Sequence, residues 1–113
     1  MEPDILPVIE KRQYVRVPFK EPVQFKREDW EVFDGSVAGD LSAGGIRLIV
    51  NEFITLHAPM ILNIAFGEEA KLVTVNGRVV WVSIMPYSER YQIGIEFEPQ
   101  HSPSQEEILQ HLK

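Results

Sequence analysis

The sequence contains no cysteine. Disulfides and thiolate metal sites are therefore excluded, and a reducing compartment is permitted. No apolar run approaches the roughly 20 residues that a membrane-spanning helix needs. The opening residues, MEPDILPVIEKR, carry acids and prolines where a secretory signal would carry basic and then continuous apolar residues. A cytoplasmic setting without membrane insertion is expected. Positive charge is scarce too: 11 Lys and Arg stand against 17 Asp and Glu, a net charge of -6. That balance argues against a DNA or RNA binder, which needs a cationic face. The histidines, His57, His101 and His111, show no ligand spacing, so no metal centre is expected.

What remains is the composition of one ordinary domain. The 113 residues are 44% hydrophobic and 25% charged, typical of a soluble globular protein. A chain of this length buries a core without needing staples. Its charge is uneven. KRQYVRVPFK, residues 11–20, holds Lys11, Arg12, Arg16 and Lys20 and no acid. Residues 21–113 hold 7 basic and 14 acidic residues. A small anionic ligand fits one short cationic segment better than a long polyanion, which would meet repulsion beyond it.

Along the chain, residues 1–10 have no clear period and contain two prolines; they read as an extended lead-in or linker. From 14 to 98 the pattern is short β segments. PVQFKR alternates Val23 and Phe25 with polar neighbours, and WEVFDGSV alternates Trp30 and Val32 about Glu31, with a bend expected at Asp34-Gly35. GIRLIV follows at 45–50. MILNIAF places Leu62, Ile64 and Phe66 on one face, and YQIGIEF does the same for Tyr91, Ile93, Ile95 and Phe97. KLVTVNGRVVWVSIM is rich in β-branched residues. Its Asn76-Gly77 is either a hairpin turn or a bend in one long strand. At the tail, Ser102-Pro103-Ser104-Gln105 reads as a helix start, with Ser102 as N-cap and Gln105 closing a capping box. Ile108, Leu109 and Leu112 form the apolar stripe of a short helix that must dock to be stable. About five to seven antiparallel strands and a terminal helix point to a small barrel or sandwich.

Two stretches concentrate polar chemistry. Arg12-Gln13-Tyr14-Val15-Arg16 is an RxxxR. Asp40-Leu41-Ser42-Ala43-Gly44-Gly45 is a DxSxxG, within a segment, residues 36–48, where seven of thirteen residues are Gly, Ala or Ser. Alone, the first reads better as a solvated basic turn. The second reads as a tight loop whose Asp and Ser bond their own backbone.

Together and in this order, within a small β domain, the two motifs resemble the PilZ family, as do the softer features GGIRL, GRVVWV and YQIGIEF. The resemblance covers roughly residues 10–100. It implies an all-β fold, a small antiparallel six-stranded barrel over residues 11–100, to which the tail's own pattern adds a short C-terminal α-helix at 101–113. It implies a receptor for cyclic di-GMP that does no catalysis and needs no cofactor. Arg12 and Arg16 match the family's arginines, and Asp40, Ser42 and Gly45 match the second motif. Lys11 stands where many members carry a further arginine; it supplies charge but not a planar fork.

The chemistry of the ligand suits these residues. Guanine presents O6 and N7 acceptors, which one arginine pairs at once, and arginine also grips phosphate bidentately. The other guanine edge presents N1-H and N2-H, and Asp40 is a matching acceptor. Ser42 adds a hydroxyl, and Gly44 and Gly45 leave room for close approach. Weaker candidates are Lys11, for long-range attraction, Gly44, and Trp81, which is either a stacking platform or a core residue. Arg47 and Arg78 alternate with apolar neighbours and read as outward surface charges. The expected mechanism is ligand-driven ordering of the arginine segment, read by a protein partner or by another domain of a longer chain.

Rival classes have less to stand on. Ser42 lies in no G-x-S-x-G elbow, and no carboxylate-histidine pair is evident for a hydrolase triad. A single-stranded nucleic-acid binder needs several exposed aromatics in a basic groove. A PilZ-like module that binds partners without ligand is the alternative, and such modules typically lack the arginines retained here.

Overall fold

The alternating segments build one antiparallel sheet. The structure is a computed structural model, and it describes residues 16–66, 71–98, 106–108 and 110, without the side chains of residues 37 and 38. Its strands are β1 (Val17–Pro18), β2 (Pro22–Arg27), β3 (Asp34–Ser42), β4 (Gly45–Val50), β5 (Pro59–Phe66), β6 (Lys71–Ile84) and β7 (Tyr91–Glu98). The ladder runs β3-β2-β5-β6-β7-β4, and β4 pairs back onto β3. Six strands therefore close on themselves as a barrel, which removes exposed sheet edges. The short β1 extends the edge of β3 beyond the end of β2, with Pro18 opposite Asp40 and Pro22 opposite Val37.

The period of two decides what lies inside. Val23 and Phe25 of β2, Met60, Leu62, Ile64 and Phe66 of β5, and Ile93, Ile95 and Phe97 of β7 are buried in one cluster. The segment between β4 and β5 contributes the fully buried Ile54 to the core. Its His57 adopts a left-handed φ of 71° and donates its N–H to the Val79 carbonyl at 2.7 Å. At the tail, residues 106–108 and 110 are helical. Ile108 is fully buried in the core, and Glu107 pairs with Lys71. The short tail helix thus docks on the barrel. Its capping residues Ser102, Pro103 and Gln105 and the stripe residues Leu109 and Leu112 lie outside the described residues, as do the 1–10 lead-in, Lys11 and Arg12.

Two local expectations change. Asp34-Gly35 begins β3 instead of bending the chain, and the turn lies earlier, in residues 28–33, leaving Val32 74% exposed. Asn76-Gly77 is not a hairpin turn: β6 runs unbroken for 14 residues. Both Asn76 and Gly77 pair with β7, and a Cβ at Gly77 would lie 2.7 Å from the Glu96 carbonyl oxygen. The glycine serves close strand approach. The irregularity of β6 comes later. Val79 faces Ile95 and Trp81 faces Gly94, so Val80 is an extra residue in a β-bulge.

Candidate functional site

The residues of the second motif divide between strand and turn. Asp40, Leu41 and Ser42 end β3, Ala43 and Gly44 form a two-residue turn, and Gly45 begins β4 opposite Ser42. Leu41 points into the core, fully buried, so its neighbour Asp40 points outward with 25% of its side chain exposed. Ser42 is 4% exposed and serves the turn. Its Oγ accepts from the Gly44 N–H at 3.2 Å and donates to the Gly45 carbonyl at 3.4 Å. Gly44 accepts in turn from the Phe97 N–H at 2.9 Å, which pins the turn to β7. Gly45 makes room for β7: a Cβ there would collide with the Ile95 carbonyl oxygen.

The arginine segment meets this motif at Asp40. Arg16 precedes β1, and its Nη1 donates to Asp40 Oδ1 at 2.8 Å. The contact spans 24 residues of sequence and joins the two motifs. The other carboxylate oxygen, Oδ2, accepts from Arg47 Nε at 3.1 Å. Arg47 also donates from Nη1 to Gln92 Oε1 at 3.3 Å. The three charged groups together carry one net positive charge on a chain whose net charge is -6.

The pairing register arranges these groups in a row across the outer face. Pro18 lies opposite Asp40, Asp40 opposite Arg47, Arg47 opposite Gly94, and Gly94 opposite Trp81. Trp81 is 38% exposed and packs its indole against Gly94, where a Cβ would strike the ring. Trp81 is therefore an outward aromatic, not a core residue. Its direction follows from the bulge. Val73, Val75 and Val79 are buried, and the same parity would bury Trp81 if Val80 did not insert one residue. A second bulge does related work in β3. Ala38 pairs with Leu48 and Asp40 with Arg47, which leaves Gly39 extra. A Cβ at Gly39 would lie 2.5 Å from Arg47 Cζ and Nη2, so the guanidinium lies across bare backbone.

Arg47 faces outward, as its alternation with apolar neighbours predicts, but it is paired with Asp40 and is not a free surface charge. A signal was available: counting outward from a two-residue turn at Ala43-Gly44 puts Asp40 opposite Arg47. Arg78 is an outward surface charge, paired with Glu98 at 3.1 Å and Glu96 at 3.4 Å. Among the described residues no cluster of His, Asp and Glu is arranged to hold a metal, and no helix is long and apolar enough to cross a membrane. An arginine pair around a carboxylate, with an aromatic on the same row, can bind an anion that carries a flat heterocycle.

Known proteins share this framework. The PilZ domain family model matches residues 10–113. The chain superposes on the Bacillus subtilis inhibitor of motility, MotI/DgrA, with a TM-score of 0.71 and 24% identity, covering 88% of this chain and 48% of that one. For the PilZ domain of YcgR from Escherichia coli, solved with c-di-GMP, the values are 0.67 and 18%, covering 90% and 88%. For the K. pneumonia MrkH–c-di-GMP complex they are 0.66 and 23%, covering 89% and 52%. The chain thus spans about half the length of MotI and MrkH. At these identities the likeness is one of fold. No curated protein matches the sequence.

Proposed function

The chain belongs to the PilZ domain family, and on that premise we propose that it is a cyclic di-GMP receptor acting in the cytoplasm. The observation that carries the reading is the Arg16–Asp40 contact, which sets the RxxxR beside the DxSxxG. Solved members of the fold, YcgR and MrkH, hold this ligand, and PilZ domains are binding modules, not enzymes. Arg12 and Arg16 take the phosphates and the O6/N7 edge of guanine. Asp40 accepts from N1-H and N2-H. Trp81 offers a face on which a purine stacks, an interaction worth about 1–3 kcal/mol per base. Lys11 adds charge at the rim. Ser42, Gly44 and Gly45 hold the turn that aims Asp40.

Binding exchanges partners. An exposed pair such as Arg16–Asp40, with Arg16 56% exposed, is worth roughly 0.2–1 kcal/mol. A charge-assisted bond to a ligand phosphate is worth about 1.5–3 kcal/mol, so Arg16 moves to the ligand and draws its segment over the site. A partner protein, or another domain of a longer chain, reads that change. Calorimetric titration tests the receptor reading. Cyclic di-GMP is expected to bind with a defined stoichiometry, and GTP is not. Absence of heat and of any thermal shift would leave a ligand-independent interaction module as the better reading. Amide exchange tests the switch: residues 8–18 are expected to gain protection at saturating ligand. Equal exchange with and without ligand would rule it out.

A further inference from the structure

Arg47 belongs to neither signature motif, yet it is the residue that ties the site together. Its guanidinium is held from three directions. Nε donates to Asp40 Oδ2 at 3.1 Å, Nη1 donates to Gln92 Oε1 at 3.3 Å, and the plane lies across the bare backbone of Gly39. Its side chain is 33% exposed, against 56% for Arg16. Arg16 reaches the same carboxylate through Nη1 alone.

Two guanidiniums on one carboxylate imply a division of labour. Arg16 is the exchangeable partner, because an exposed single contact is easily outbid by a phosphate. Arg47 is the fixed one. We propose that Arg47 is the positioning residue of the ligand site. It holds Asp40 by Oδ2, so that Oδ1, once released by Arg16, faces the N1-H and N2-H donors of guanine. It also offsets the charge of Asp40, which would otherwise repel the ligand's phosphates and retain Arg16. The inference rests on the cyclic di-GMP reading and assigns the base-reading half of that site.

The test compares cyclic di-GMP with cyclic di-IMP, whose hypoxanthine bases lack the 2-amino group. Calorimetry is run on the wild type, Arg47→Ala, Asp40→Ala and the double variant. The wild type is expected to prefer guanine. Arg47→Ala should weaken cyclic di-GMP on the order of tenfold and narrow that preference, as Asp40→Ala does. The double variant should bind no worse than Asp40→Ala alone, because Arg47 acts through Asp40. Wild-type preference in Arg47→Ala, or fully multiplicative losses in the double variant, would overturn the proposal. Should Arg47→Ala fail to fold, Arg47→Lys takes its place; it keeps the charge but loses the two-pronged grip, so the preference must still narrow. Failure of the wild type to bind cyclic di-GMP would instead overturn the receptor reading itself.

Discussion

An Arg12→Ala/Arg16→Ala variant is expected to lose cyclic di-GMP binding by at least about 100-fold in a calorimetric titration. Each arginine contributes charge-assisted hydrogen bonds worth roughly 1.5–3 kcal/mol, and every 1.4 kcal/mol or so is a factor of ten. The two losses need not add, since both side chains serve one ligand. The fold should survive. Arg16 is 56% exposed, and its only described ion pair is with Asp40, so unfolding by urea should shift by less than about 1 kcal/mol. Loss of affinity with retained stability separates a ligand-binding role from a structural one. Wild-type affinity in this variant would remove the arginine segment from the site.

Gly45→Val is expected to produce the largest loss of stability of any single change at the motif. Gly45 stands opposite Glu96, and an added Cβ would run into the Ile95 carbonyl oxygen. That obstacle is backbone, so no rotamer change relieves it. The adjacent turn is also pinned, because the Phe97 N–H is bonded to Gly44. Relief requires β4 to part from β7, a seam that six register pairs hold together. Overpacking of this kind costs about 1–3 kcal/mol, occasionally more, against a total stability of about 5–15 kcal/mol for such a domain. A fall in Tm of roughly 4–8 °C per kcal/mol would follow. Gly35→Ala provides the control. Nothing lies within 4 Å of a Cβ at Gly35, so this variant should match or slightly exceed the wild type. Urea unfolding followed by tryptophan fluorescence measures both. Equal stability of Gly45→Val and wild type would mean that the β4–β7 seam is not closed as described.

Ser42 and Gly45 show where reading by motif stops. DxSxxG gives no reason to separate Ser42 and Gly45 from Asp40, and the ligand chemistry suits all of them. In the folded chain their work differs. Ser42 is buried on its own turn and Gly45 on β7, while Asp40 alone presents a charged group outward, between two arginines.

Much of the protein was decided locally. Alternation in PVQFKR, MILNIAF and YQIGIEF sets which side chains face the core, because successive residues of a strand point to opposite faces. Sequence also brought the two motifs and the docked tail helix into view, since a charge run, a small-residue turn and an apolar stripe are all short-range patterns. Three things needed the closed barrel: that Asn76-Gly77 continues a strand, that Trp81 faces outward, and that Arg47 locks Asp40. Each depends on what lies across the sheet. An inserted residue reverses the alternation beyond it, and neighbours in sequence do not reveal where the partner strand forces that insertion. The bulges at Gly39 and Val80 are set by cross-strand register, and register exists only once the barrel has closed.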